Sequence, residues 1–153
     1  MFLLHIALAV LLRIQNMHAR PVRYYVKTRT SRGETFASMT MPVTGVILLI
    51  FLITHLLNFK FGAYYETTID GETVRDLYRT VIEYFANPVY VAWYVFAMFA
   101  LGLHTSHGVQ SAFQSWGLNH PKYNQVVEAV SMFYGIIVAV GFSAMAIFCH
   151  FQN

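Results

Sequence analysis

Residues Leu101–Trp116 read LGLHTSHGVQSAFQSW, a stretch that sets two imidazoles, His104 and His107, inside an apolar run of membrane-crossing length. An ionisable ring at that depth is costly without a partner, so each such histidine is a candidate functional group. Two further runs carry the same feature, His5 in LLHIALAVLL and His55 in LLIFLITHLLNF. The chain reads as a scaffold that holds histidines at chosen depths in a bilayer, and the expected partner is haem iron.

The composition agrees. Of 153 residues, 57% are hydrophobic and only 11% charged, where a soluble domain carries about a quarter charged. The expected fold is an all-α polytopic membrane protein, a bundle of four transmembrane helices with the first one short or truncated. One transmembrane domain is expected over residues 1–153, with spans at about 1–17, 39–61, 88–116 and 126–151. The net charge of +3 does not signal a nucleic-acid partner, because the cations crowd into one segment between spans. Cys149 is the only cysteine, which excludes an intrachain disulfide, a cysteine zinc site and a self-contained iron–sulfur cluster. It reads as a small apolar filler.

The N-terminal MFLLHIALAVLLRIQNMHARP superficially resembles a signal peptide. It has no basic residue before the apolar run and no small-residue cleavage site after it, so no cleavage is expected. Its apolar part, 2–12, is nevertheless short of the ~20 residues a crossing needs. Pro21 closes this first span, and Pro42 is expected in the first turn of the second.

Residues 17–38 carry Arg20, Arg23, Lys27, Arg29 and Arg32 against Glu34 alone, a net of +4. Residues 62–87 carry Glu66, Asp70, Glu72, Asp76 and Glu83 against Arg75 and Arg79, a net of −3. The lysine and arginine bias puts the basic segment on the cytoplasmic side of a bacterial inner membrane or its equivalent. Within the acidic segment, TVRDLYRTVIEYF has the spacing of a short surface helix.

Two imidazoles binding one iron must lie at one depth on facing helices. From His5 to the basic end of its span is about 21 Å of helical rise, and from His104 to Trp116 about 18 Å. His5 and His104 can therefore oppose one another. His55 lies about 24 Å from the start of its span, somewhat further out, which suits a second haem. His107, a turn beyond His104, could replace it as ligand or bond a propionate or a quinone oxygen. A lone histidine in a span can also bond across helices; three on three successive spans favour a cofactor. His18, His120 and His150 lie at span ends or in a turn and are expected to be solvated.

The strings LLHIALAVLLRIQNMHARPVRYY, SMTMPVTGVILLIFLITHLLNFKFG and GLHTSHGVQSAFQSWGLNHPKYN resemble the second, third and fourth helices of a known family. It is the cytochrome b subunit of succinate dehydrogenase or fumarate reductase, of the single-subunit, two-haem type. The resemblance implies five helices with haem ligands on the first four. His5 and His104 would then hold the haem nearer the dehydrogenase and His55 the outer one. The family's first helix has no counterpart here: either an N-terminal part is missing, or a separate polypeptide supplies that helix, or only one haem binds.

The resemblance further implies flavoprotein and iron–sulfur partners on the cytoplasmic face, with electrons exchanged through haem b with a membrane quinone, commonly menaquinone. The chain would be a non-catalytic electron-transfer subunit. Arg20, Arg23 and Arg32 are candidate propionate or docking contacts. Gln110, Ser111 and Gln114 are candidates for a quinone carbonyl. One alternative is a haem-free, quinone-binding anchor of the same complex. The other, a small histidine-relay transporter, needs polar residues along a whole helix face, which the second and fourth spans lack.

Overall fold

Apolar runs of hydrocarbon length become helices because a backbone in lipid must satisfy its polar groups within the segment. The computed structural model describes residues 1–19, 36–118 and 120–152. Five helices and one hairpin follow in the order α1 (Phe2–Ala19), α2 (Phe36–Phe59), β1 (Glu66–Ile69), β2 (Glu72–Arg75), α3 (Leu77–Phe85), α4 (Pro88–Ser115) and α5 (Pro121–His150). Helices α1, α2, α4 and α5 are long and apolar enough to cross a membrane. The protein is an all-α polytopic membrane protein, and the described residues add one short hairpin.

The first unit, Met1–Phe36, contains α1. That helix continues through polar Arg13, Gln15 and Asn16 to Ala19. Its 18 residues rise about 27 Å, further than its apolar part alone would reach. None of its residues is buried. The basic segment expected on the cytoplasmic side lies almost wholly outside the described residues.

The second unit, Ala37–Asn153, is organised around α4. Asn87 caps α4, its side chain accepting from the Val89 amide, and Pro88 takes the first helical position. His120 and Pro121 repeat the device at α5, where His120 Nδ1 accepts from the Lys122 amide at 3.2 Å. A proline at that position loses nothing, since its amide would be an orphan donor in any case. This cap carries α5 five residues upstream of the start that hydropathy suggests.

Helices α4 and α5 run antiparallel and touch backbone to backbone. A Cβ at Gly102 would stand 2.6 Å from the Gly135 carbonyl oxygen and 2.8 Å from Ala139 Cβ. The reciprocal Cβ on Gly135 would collide with the Gly102 carbonyl. Gly108 and Gly141 face no such neighbour.

Helix α2 meets α4 through side chains, at Thr44 with His104 and at His55 with Tyr94. Pro42 sits inside α2 and not in its first turn, because the helix begins upstream of the apolar run. There it cannot donate to the Ser38 carbonyl, a loss that membrane helices tolerate when neighbouring groups re-satisfy the backbone.

Between α2 and α4 the acidic segment folds back on itself. Asp70 and Gly71 both take positive φ, 52° and 87°, as a two-residue hairpin turn requires. Glu66 pairs with Arg75 and Ile69 with Glu72. Arg75 ties the hairpin to the end of α2 by donating to the Lys60 and Ala63 carbonyls at 3.3 and 3.1 Å. Helix α3 starts at Asp76, whose carboxylate accepts from the Arg79 amide at 2.9 Å. At its other end the carbonyl of Phe85 accepts from His150 Nδ1 at 2.8 Å. His150 is thus half-buried and engaged, where a solvated ring was expected. A carbonyl can only accept, so the ring carries its proton on Nδ1. Cys149 packs beside it against the core of Phe85, Val91, Tyr94 and Ala146.

On the exposed side of α3, Arg79 lies over the Tyr65 ring at 4.2 Å and bonds Glu83 at 2.7 Å. The Tyr65 hydroxyl and the Arg79 guanidinium hold the Glu83 carboxylate below its usual pKa, while that carboxylate raises the Tyr65 phenol. A depressed carboxylate stabilises the fold above its unfolded pKa, and the contribution is lost as pH falls through the folded value. Protection of the α3 amides from hydrogen exchange is therefore expected to fall on acidification. The fall should be small, because these groups are solvated, and smaller still in Glu83→Gln.

Candidate functional site

Two histidines lie at two depths of the α2–α4 pair. His104 projects from α4 toward α2, with its Nδ1 3.1 Å from the Thr44 hydroxyl oxygen. Thr44 is 4% exposed, and its hydroxyl is also 3.1 Å from the carbonyl oxygens of Thr40 and Met41 in its own helix. The ring lies beside the next residue, Gly45, where a Cβ would stand in ordinary van der Waals contact, 3.5 Å from His104 Cε1.

The second layer is aromatic. His55 Nδ1 is 3.0 Å from the Tyr94 hydroxyl. The imidazole is flanked by Phe51 and Phe59, at 5.6 and 5.0 Å between ring centroids. Tyr94 is 6% exposed and meets Phe51 and Phe85 edge-on at 4.9 and 4.8 Å. Close by, Trp93 Nε1 donates to the Thr54 hydroxyl at 3.4 Å. Helix α4 rises about 15 Å between Tyr94 and His104. The depth difference that span ends alone left small is thus close to three helical turns.

His107 lies a turn beyond His104. Its Nε2 is 3.1 Å from the Ser111 hydroxyl oxygen, while its buried Nδ1 has no hydrogen-bond partner. Gln110 is half-buried and Gln114 exposed. His5 on α1, in the other unit, and His18 at the end of the same helix are both exposed within the chain. Arg20, Arg23 and Arg32 lie outside the described residues.

Thr44 and Tyr94 were not singled out by sequence reasoning. Their signal is a register: 44 pairs with 104, and 55 with 94, as antiparallel helices in constant alignment demand. A threonine inside the apolar run of α2 is the trace it leaves in the sequence.

Four apolar helices, with deep histidines hydrogen-bonded between two of them, define an integral membrane protein of polytopic type. The chain belongs to the succinate dehydrogenase/fumarate reductase transmembrane subunit family, whose model matches residues 16–148. No curated protein and no solved structure matches it.

Proposed function

We propose that this chain is the haem b-binding membrane anchor of a succinate:quinone oxidoreductase. The observation that supports it most is the pair of histidine layers, each imidazole anchored at Nδ1 by a hydroxyl from the facing helix. Metal-ligating histidines are held in this way, with one nitrogen hydrogen-bonded and the other presented to the metal. Among the described residues no three His, Cys, Asp or Glu side chains gather into a metal cage.

In this reading His104 and His5 would hold an inner haem, and His55 would help to hold an outer one. Bound haem supplies one-electron exchange between an iron–sulfur subunit and a membrane quinone, which we take to be menaquinone. The residues of the chain fix its depth and exclude water. The apolar and aromatic walls around His55 keep the local dielectric low, a lever on potential. His107, Gln110, Ser111 and Gln114 offer hydrogen bonds to a quinone carbonyl or a propionate, and the unsatisfied Nδ1 of His107 is the strongest claim among them. Arg20, Arg23 and Arg32 meet propionates or the docked partner on the cytoplasmic side, where the flavoprotein and iron–sulfur subunits oxidise succinate or reduce fumarate.

The same hydroxyl–imidazole bonds also suit plain helix–helix contacts, which keeps a haem-free, quinone-binding anchor as the second reading. A reduced-minus-oxidised spectrum of the intact complex separates the two. A b-type α band assigned to this subunit is expected, and its absence would eliminate haem. The purified chain alone is expected to oxidise no succinate.

A further inference from the structure

Helix α2 stops just over one turn beyond His55, and a cation meets it there. The amides of Lys60 and Phe61 both bond the Leu56 carbonyl at 3.0 Å, so the carbonyls that follow have no further helical turn to donate to them. At this exit the carbonyls of Lys60 and Ala63 accept from Arg75 Nη1 and Nη2 at 3.3 and 3.1 Å. The chain turns back so closely that a Cβ on Gly62 would run into the Asn58 carbonyl and stand 2.9 Å from the Tyr84 hydroxyl oxygen. Arg75 is itself held by the hairpin, opposite Glu66 in the β1–β2 register.

The guanidinium is half-buried, and its Nε is buried with no hydrogen-bond partner. Among the described residues the ion pair belongs to Arg79 and Glu83, on the exposed side of α3, and no carboxylate stands within ion-pair distance of Arg75. A cation so placed needs compensation. The C-terminal end of a helix supplies it, because the unpaired carbonyls there carry about half a negative charge. One ring then joins that end of α2 to the His55 layer. Phe59 lies 5.0 Å from the imidazole and 5.4 Å from the Tyr84 ring, centroid to centroid. The turn that Arg75 caps therefore forms one wall of the layer.

We infer that Arg75 is a positioning residue: from the segment between the spans it caps the C-terminal end of α2 and, through Phe59, holds the His55 imidazole in register with Tyr94. The cap rests on the contacts above alone; its effect on a haem rests on the function proposed for the chain.

Two measurements keep those apart. In the full-length chain in lipid bilayers without haem, hydrogen exchange at the Lys60 and Phe61 amides is expected to be about fivefold faster in Arg75→Ala, from the lost cation at the helix end. The nitrogen resonances of labelled His55 should move, and those of His104 should stay. Arg75→Lys, which keeps the charge, should bring both readouts part of the way back. Arg79→Ala, in the same segment but on its exposed side, should leave both as they are. A His55 resonance unmoved in Arg75→Ala, or moved as far by Arg79→Ala, would overturn the inference. If Arg75→Ala does not insert, Arg75→Lys decides alone: one ammonium replaces a fork bonded to two carbonyls, so a smaller shift at His55 is expected and no shift overturns the cap.

In the intact complex, Arg75→Ala is expected to lower the midpoint potential of the haem that His55→Ala removes, since a cation near the layer favours an added electron, and to leave the other unmoved. Both potentials unmoved, or both shifted alike, would refute the positioning role. A wild-type complex with no haem, beside a shifted His55 resonance in the bilayer, would refute the haem reading alone.

Discussion

His104→Ala and His5→Ala are expected to abolish one and the same haem, while His55→Ala spares it. His104 and His55 cannot share an iron. Their partners Thr44 and Tyr94 place them in layers about 15 Å apart along α4, and an axial nitrogen must sit about 2 Å from its metal, as for other imidazole-bound metals. That His5 shares the haem of His104 is part of the proposed reading and rests on sequence alone, each lying about 20 Å of helical rise from the polar end of its span. Alanine removes the imidazole and with it the nitrogen that the proposed reading assigns to the iron. The expected loss in either variant is about one haem per complex, read by pyridine haemochrome stoichiometry and by the α band that remains. If the His104 and His5 variants lost different haems, the pairing would be wrong. If His107→Ala abolished the inner haem and His104→Ala did not, the ligand would be misassigned by one turn. His107 has Nε2 beside the Ser111 hydroxyl and a buried Nδ1 without a partner, so the pair of variants decides between the two rings.

The parts legible in the sequence were those that hydrocarbon imposes on any chain. Runs such as 88–116 had to be helical, and an imidazole within one had to be explained, which is how His55 and His104 stood out. What could not be read was whatever depends on the register between helices. Hydropathy carries no information about which residue of α2 faces His104, so Thr44 looked like one more tolerated polar group. The hairpin leaves a different trace: Asp70-Gly71 between ETTI and ETVR is a turn signal, overshadowed by the helical spacing just downstream that forms α3. Pro42 was placed in a first turn because the apolar run begins at Met39, whereas α2 begins at Phe36. His150 looked solvated because its partner, the Phe85 carbonyl, belongs to another element far along the chain. Hydropathy is equally silent on which glycines matter: Gly102 and Gly135 bring two backbones together, while Gly108 and Gly141 face no neighbour within 4 Å.

That glycine contact carries the second large effect. Gly135→Leu is expected to prevent α4 and α5 from docking, and Gly135→Ala to weaken the same contact. A Cβ on Gly135 would already collide with the Gly102 carbonyl and stand 2.8 Å from Ser106 Cβ. The obstacle is backbone, so no rotamer change relieves it and the helices must separate. Overpacking in a well-packed core costs about 1–3 kcal/mol even when side chains can adjust, and this site has less freedom to adjust. The consequence reaches the histidines because α4 carries both His104 and Tyr94, so displacing it strains the Thr44–His104 and His55–Tyr94 bonds together. Small residues drive such contacts in lipid, where close van der Waals approach replaces the hydrophobic effect between helices. Thermal unfolding of the detergent-solubilised complex and its haem content are expected to fall together, steeply for leucine and partially for alanine. Gly141→Ala, whose Cβ meets nothing within 4 Å, is the matched control and should leave both unchanged. A Gly135→Leu complex that melted at the wild-type temperature with its haem intact would mean that the close crossing of α4 and α5 does not hold the two layers in place.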